Sequence, residues 1–253
     1  MEMHAENDKL CGLNISIVIP AFNEERLLGV SLADIRAAAA TFERRGWVVE
    51  VIVCDNNSTD RTAEIARAAG ARVVFEPVNQ IARARNAGAA AATGDWLVFV
   101  DADSHPSAEL FDEVAGQILA GACLAGGCTL RMDEPYLVGG LLTNLWNWVS
   151  RWRRLLAGSF IFCETAAFRE LGGFSHELFV GEELELSGRL KQLAARQGRS
   201  IVILHRYPML TSARKLRLYT AREHLGFVLR AIFRQRRTLG SRQASYLWYD
   251  GRR

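Results

Sequence analysis

Two aspartates one residue apart, Asp101 and Asp103, close the apolar run Trp96 to Val100. Carboxylates placed where a buried strand reaches the surface supply oxygen ligands to a hard divalent cation, and such an ion can hold a diphosphate. A second apolar run, Val48 to Cys54, also stops at an aspartate, Asp55, and a third, Ile15 to Ile19, stops at Pro20. Each acid has a plainer reading. Asp103-Ser104 ahead of Pro106 suits a helix cap, and Asp55 competes with Ser58 and Asp60 for the same duty. Further along, Glu182, Glu183 and Glu185 gather where a helix begins, a place the helix dipole favours for acids without any chemistry. His205 follows a strand, where an imidazole is either packed or able to serve a metal such as manganese.

These residues need a scaffold that brings several strand ends to one edge. Ile15 to Ile19, Val48 to Cys54, Ala71 to Phe75 and Trp96 to Val100 are short apolar runs between turn residues, and predict strands. Between them, Glu24 to Arg45, a segment ending at Ala69 that opens on the cap cluster Asn57-Ser58-Thr59-Asp60, and the alanine-rich Gln80 to Ala92 predict helices. The alternation implies βαβ units and an α/β fold with a mostly parallel, Rossmann-like central sheet flanked by helices. Ligands of such sheets bind at the carboxyl ends of the strands. The second half is less regular. Ser107 to Ala120, Tyr136 to Leu156 and Glu182 to Gln197 predict helices, and Ala122 to Leu130, Ser159 to Cys163 and Ile201 to Leu204 predict strands. The expected organisation is a sheet domain over residues 13–211 and a basic, mainly helical tail over 212–253.

With 253 residues, 49% hydrophobic and 23% charged, the chain suits a globular domain. Its net charge of +3 defines no partner class, but from Arg214 to Arg253 eleven Lys or Arg stand against two acids. That tail suits anionic lipid, a phosphorylated acceptor or nucleic acid, or is a solvated basic face. It lacks the interleaved aromatics of single-strand binders, so nucleic acid is not an expected partner. The five cysteines, Cys11, Cys54, Cys123, Cys128 and Cys163, form no Cys-x-x-Cys pair, which suits a reducing compartment. Met1 to Lys9 has no secretory pattern, and no stretch reaches about 18 uninterrupted apolar residues. A cytoplasmic protein is expected, soluble or peripheral at the inner membrane face. Trp146, Trp148 and Trp152, among leucines and followed by Arg153 and Arg154, belong either to a core helix covering the sheet or to a membrane-interface helix.

Four blocks together resemble family 2 glycosyltransferases of the GT-A fold. They are Ile17-Val-Ile-Pro-Ala-Phe-Asn-Glu-Glu25, Val51-Ile-Val-Cys-Asp-Asn-Asn-Ser-Thr-Asp-Arg-Thr62, Ala84-Arg-Asn-Ala-Gly88 with Gly94-Asp-Trp-Leu-Val-Phe-Val-Asp-Ala-Asp103, and Gly172-Gly-Phe174 with Gly181-Glu-Glu-Leu-Glu-Leu186. The resemblance implies a nucleotide-diphosphate sugar donor, UDP- or GDP-linked, a divalent metal, Mn2+ or Mg2+, and transfer of a hexose to a hydroxyl on a lipid or glycan. Carried over by position, Pro20, Asn23, Glu24 and Asp55 contact base and ribose. Arg85 faces the donor phosphates or supports the nucleotide loop. Asp101 lies against ribose and metal, Asp103 ligates the metal, and His205 is a further metal ligand. The family base is normally the aspartate of a Glu-Asp pair. Here the pair is Glu182-Glu183, so Glu183 takes the base position of an inverting displacement and Glu182 stands beside the substrate. The Gln-x-x-Arg-Trp signature of processive relatives does not follow this pair, which implies transfer of single sugars. Two other readings remain: a nucleotidyltransferase, which usually opens with a glycine-rich loop that Pro20 to Glu24 lacks, and a non-catalytic nucleotide or nucleic-acid binding module.

Overall fold

The computed structural model describes residues 12–133 and 137–212. Eight strands form one sheet: β1 (Asn14–Ala21), β2 (Val48–Asp55), β3 (Arg72–Phe75), β4 (Trp96–Val100), β5 (Ser104–His105), β6 (Cys123–Met132), β7 (Phe160–Glu164) and β8 (Ser200–Thr211). Among the described residues seven helices accompany them: α1 (Leu28–Glu43), α2 (Thr62–Ala68), α3 (Ile81–Ala91), α4 (Ala108–Ala120), α5 (Leu137–Arg153), α6 (Thr165–Glu170) and α7 (Glu182–Arg196). The strand order is β3-β2-β1-β4-β7-β6-β8-β5. β7 and β5 run against their neighbours, and the other six strands share one direction. The mostly parallel sheet expected from the alternation is therefore present, with one reversed strand near its middle.

Side-chain alternation sorts the core into two layers. Ile15, Ile17, Ile19, Val98, Val100 and Phe162 face one side, where α1 and α4 cover them with Leu32, Phe42, Phe111 and Ile118. Val18, Ile52, Leu97, Phe99 and Ile161 face the other, against α3, α6 and α7 through Ala89, Phe168 and Leu190. Strands buried on both faces read as continuous apolar runs, which is why β1, β2 and β4 stand out in the sequence.

Several elements differ from the sequence expectation. α1 starts at Leu28, because the Glu24 carbonyl accepts the N–H groups of both Leu27 and Leu28 and closes a separate turn. β8 continues past His205 to Thr211, with a bulge between the Leu204 and Met209 pairings. The short β5 and α6 were not anticipated; both are too brief to show periodicity. The basic tail beyond Ser212 lies outside the described residues, as does Cys11. Among the described residues no helix is long and apolar enough to cross a membrane.

α3 packs on the sheet at backbone contact. A Cβ at Gly88 would stand 2.4 Å from Val18 Cγ1, whereas one at Gly116 in α4 would meet nothing within 4 Å. Alanine gains up to about 1 kcal/mol of helix propensity over glycine, but overpacking costs about 1–3 kcal/mol. Gly88→Ala should therefore lower the midpoint of chemical denaturation, while Gly116→Ala should raise it. A Gly88→Ala variant as stable as wild type would show that α3 does not sit this close.

Candidate active site

The carboxyl ends of β1 and β2 are joined by their loops. Ala21 pairs with Asp55 in the ladder, and the Asn56 N–H donates to the Ala21 carbonyl at 2.8 Å. Beyond them, the Asn23 N–H donates to Ser58 Oγ at 3.0 Å and Asn23 Oδ1 accepts from the Thr59 N–H at 2.8 Å. Asn23 holds φ +52°, a left-handed conformation that asparagine tolerates best among residues with a side chain. The Glu24 N–H donates to Thr62 Oγ1 at 2.8 Å. Asp55 is buried and its Oδ1 accepts from the Ser58 N–H at 3.0 Å, so it closes the turn while standing at the strand end. Asp60 serves the start of α2 through the Thr62 N–H. Pro20, Asn23, Glu24 and Asp55 thus belong to one latched rim.

Arg85 lies beneath this edge and its side chain is 2% exposed. Nη1 donates to Glu182 Oε1 at 2.6 Å, and Nη2 donates to Asp101 Oδ1 at 2.9 Å and to the Gly158 carbonyl at 2.8 Å. The Phe174 ring packs 5.3 Å from the guanidinium carbon. Burial disfavours the charge, but Asp101, Glu182 and Glu183 outweigh it and hold the arginine above its usual pKa. The guanidinium therefore supports the acids from below rather than standing out toward a ligand. A Cβ at Gly158 would come 3.0 Å from Nη2, a contact tight enough to push on the guanidinium.

Asp101 is 19% exposed and faces the edge. The turn after it is held by the Ser104 N–H on the Asp101 carbonyl and by the pairing of β5 with the end of β8. Asp103 is buried in that turn, and its carbonyl accepts from the Ser212 N–H. It is not the helix cap: Ser107 caps α4, accepting from the Leu110 N–H at 3.2 Å. Asp101 and Asp103 make an oxygen-only donor set. That fits magnesium or manganese, which bind through one or two carboxylates plus phosphate oxygens and water. His205 is exposed on the β8 bulge. The strand register places Phe99, Ile161, Gly127 and Ile203 at one level, so Asp101 and His205 both stand two residues beyond it. They are three strands apart, roughly 14 Å at the usual strand spacing. Among the described residues no three His, Cys, Asp or Glu side chains gather where they would hold a metal, so the structure does not bring His205 to the two aspartates.

α7 opens at Gly181, φ +81°, with Glu182 and Glu183 in its first turn. Glu182 is 3% exposed. Burial and the Glu183 carboxylate push it up to about 8, against the pull of Arg85, and it also hydrogen-bonds the Glu183 carboxyl. Glu183, beside it in the same turn, is half-buried. Glu185 has a structural task. It pairs with Arg189, which also donates to the carbonyls of Leu171 and Gly173.

Three amides with no assigned role in the sequence shape the rest. Asn56 Nδ2 donates to the carbonyls of Glu76 and Val78, and its Oδ1 accepts from the Gln80 N–H. Gln80 Nε2 donates to the carbonyls of His176 and Leu178. Asn86 accepts from the Phe174 N–H and donates to its carbonyl, and a Cβ at Gly173 would stand 2.5 Å from Asn86 Oδ1. Asn56 and Asn86 lie inside recognised blocks and Gln80 just before one, but no spacing rule names their partners.

Comparison with known proteins follows this geometry. The family model described as "Glycosyl transferase family 2" matches residues 16–169, more than half of the chain. An uncharacterized glycosyltransferase of Mycobacterium tuberculosis is 34% identical over 142 residues, 56% of this chain and 56% of that protein. The chain thus spans about half the length of the curated relatives it matches. A mannosyltransferase from Pyrobaculum calidifontis, solved with GDP-Man and Mn2+, aligns with TM-score 0.62 at 20% identity, covering 85% of this chain and 62% of that one. Glucosyl-3-phosphoglycerate synthase from M. tuberculosis, solved with Mn2+, UDP and phosphoglyceric acid, aligns with TM-score 0.61 at 22% identity, covering 91% and 78%. S. aureus TarS with UDP-GlcNAc aligns with TM-score 0.61 at 19% identity, covering 79% and 58%. These likenesses show the GT-A fold expected from the resemblance.

The elevated Glu182 has a consequence for stability. The folded protein keeps a proton that the unfolded chain releases near 4.5, so this group stabilises the fold fully below 4.5 and its contribution is lost as pH rises to about 8. Thermal midpoints measured across that window should fall less steeply for Glu182→Gln than for wild type. Parallel curves for the two proteins would mean Glu182 is ionised throughout.

Proposed function

We propose that this chain, which belongs to glycosyl transferase family 2, transfers a single sugar from a nucleotide-diphosphate donor to an acceptor hydroxyl with inversion. The observation that carries the reading is the Arg85 bridge. It ties Asp101, at the donor end of β4, to Glu182, at the start of α7, through bonds of 2.9 and 2.6 Å. One acid that would meet the donor and the immediate neighbour of the acid that would meet the acceptor are therefore set by one anchor.

The latched rim of Pro20, Asn23, Glu24 and Asp55 would receive the base and ribose, with Asp55 accepting from their N–H or O–H groups. UDP and GDP are the two nucleotides to test first, since fold relatives were solved with UDP-GlcNAc and GDP-Man. Asp101 and Asp103 would hold Mn2+ or Mg2+, which supplies charge neutralisation for the diphosphate leaving group. Glu183 would take the proton of the attacking hydroxyl. Glu182 hydrogen-bonds the Glu183 carboxyl, and Arg85 keeps Glu182 in place. The acceptor is a hydroxyl on a lipid or glycan. The buried, unpaired Cys54, Cys123, Cys128 and Cys163 suit a reducing, cytoplasmic setting.

Single-turnover transfer tests the base. Glu183→Gln keeps the shape but cannot accept a proton, so turnover should fall by roughly a hundredfold to ten-thousandfold with donor affinity nearly unchanged. NMR of the product should show inverted configuration. Retention of configuration, or greater damage from Glu182→Gln, would remove Glu183 as base.

The metal role is tested without turnover. UDP or GDP should raise the thermal midpoint of wild type in the presence of manganese, because a ligand bound to the native state stabilises it by mass action. Asp103→Asn should lose the manganese-dependent part of that rise. An unchanged manganese dependence would leave Asp103 a turn residue only.

A further inference from the structure

α5 is built inside out. Leu141, Leu145, Trp148 and Trp152 recur at helical spacing on one stripe and are 72%, 59%, 61% and 67% exposed. Thr143 and Ser150 are buried on the opposite side, and Asn147 faces the same way, with its amide pinned to both the N–H and the carbonyl of Leu130. A helix on a water-facing surface normally shows the reverse arrangement. The two outward tryptophans stack on each other, with ring centroids 5.5 Å apart. Of the two roles the tryptophans suggested in the sequence, core cover and interface, the exposed pair fits the second.

The charge on the helix itself has one sign. Leu137–Arg153 contains no Asp or Glu. Arg151, Arg153 and Arg154 are exposed at its end, and Arg153 lies 5.6 Å over the Trp152 ring. Lys191 of α7 joins them, its Nζ donating to the Arg153 carbonyl at 2.5 Å. Burial, then Arg153 and Arg154, lower the Lys191 pKa, which shows how closely the cations crowd.

We propose that the outer face of α5 docks on an anionic lipid bilayer, with the Leu141–Trp152 stripe in the headgroup and acyl boundary and the arginines on lipid phosphates. Aromatic and aliphatic side chains on one face with basic residues beside them are the composition of interfacial helices. The electrostatics disfavour another occupant from this chain. The segment from Arg214 to Arg253 carries eleven cations and two acids, so it is repelled by the same cluster that attracts phosphate. Docking here does not depend on the transfer chemistry, and nucleotide binding and vesicle binding fail or succeed separately.

The test is flotation of the full chain with vesicles of phosphatidylcholine containing about one fifth phosphatidylglycerol, against phosphatidylcholine alone. Wild type should float with the anionic vesicles, less so at high salt. Trp148→Ser with Trp152→Ser should weaken partitioning by roughly tenfold or more, and Arg151, Arg153 and Arg154 changed to Gln should weaken it by roughly fivefold per arginine. Brominated acyl chains should quench wild-type tryptophan fluorescence, and the double serine variant should lose that quenching while keeping its thermal midpoint. Failure of wild type to float overturns the proposal. So does full binding by either variant, which would place the contact elsewhere. A dimer in analytical ultracentrifugation that the serine changes dissociate would make the stripe a contact between copies, and overturns it as well.

Discussion

A guanidinium taken out of water must find partners for its charge, and Arg85 finds them for both terminal nitrogens on three distant segments. Asp101 comes from the end of β4, Gly158 from the approach to β7, and Glu182 from the start of α7. Such a cluster adds little net stability, because desolvation offsets most of the attraction. Removing a single partner from a buried pair, however, costs about 3–5 kcal/mol. What the cluster secures is therefore position. The carboxylates at the edge can depart from this arrangement only by exposing or stranding a charge, so their spacing is held more tightly than loop backbone alone would hold it.

Around that centre, side-chain amides supply the order that regular structure does not reach. Asn56, Gln80 and Asn86 each bond backbone groups of another segment, and together they run from the end of β2 through the start of α3 to the loop before α7. An amide carries both donors and acceptors, so one side chain can bind two backbone groups of opposite kind. That is what irregular segments need, since their N–H and carbonyl groups have no ladder. The rim at the ends of β1 and β2 and the loop before α7 are consequently parts of one hydrogen-bonded frame.

Much of this was legible in the chain. Doubly buried strands leave continuous apolar runs, so β1, β2 and β4 and the acids at their ends were placed from pattern alone. The pair Glu182-Glu183 was recognisable from the block that contains it. Direction was less accessible. Arg85 was expected to face phosphate or brace a loop, and nothing local says that its partners lie 16, 73 and 97 residues away. His205 looked like a strand-end ligand because the apolar pattern breaks there, but the break is a bulge within a longer strand. In α5 the apolar residues were plain, while their outward orientation depends on Asn147 gripping β6, a tertiary contact without a periodic signature.

The order of the segments also bears on how the protein is made. Arg85 and Asp101 belong to the unit built from β1 to β4, which a growing chain completes well before Gly158 and Glu182 exist. In that interval the guanidinium has one carboxylate and water, and a hydrated charge carries no desolvation penalty. Burial arrives together with the second acid, when α7 and the segment before β7 close over it. The early half is thus spared a charge buried without partners, and the late half brings both the cover and the acceptors, Gly158 and Glu182, that make the cover tolerable.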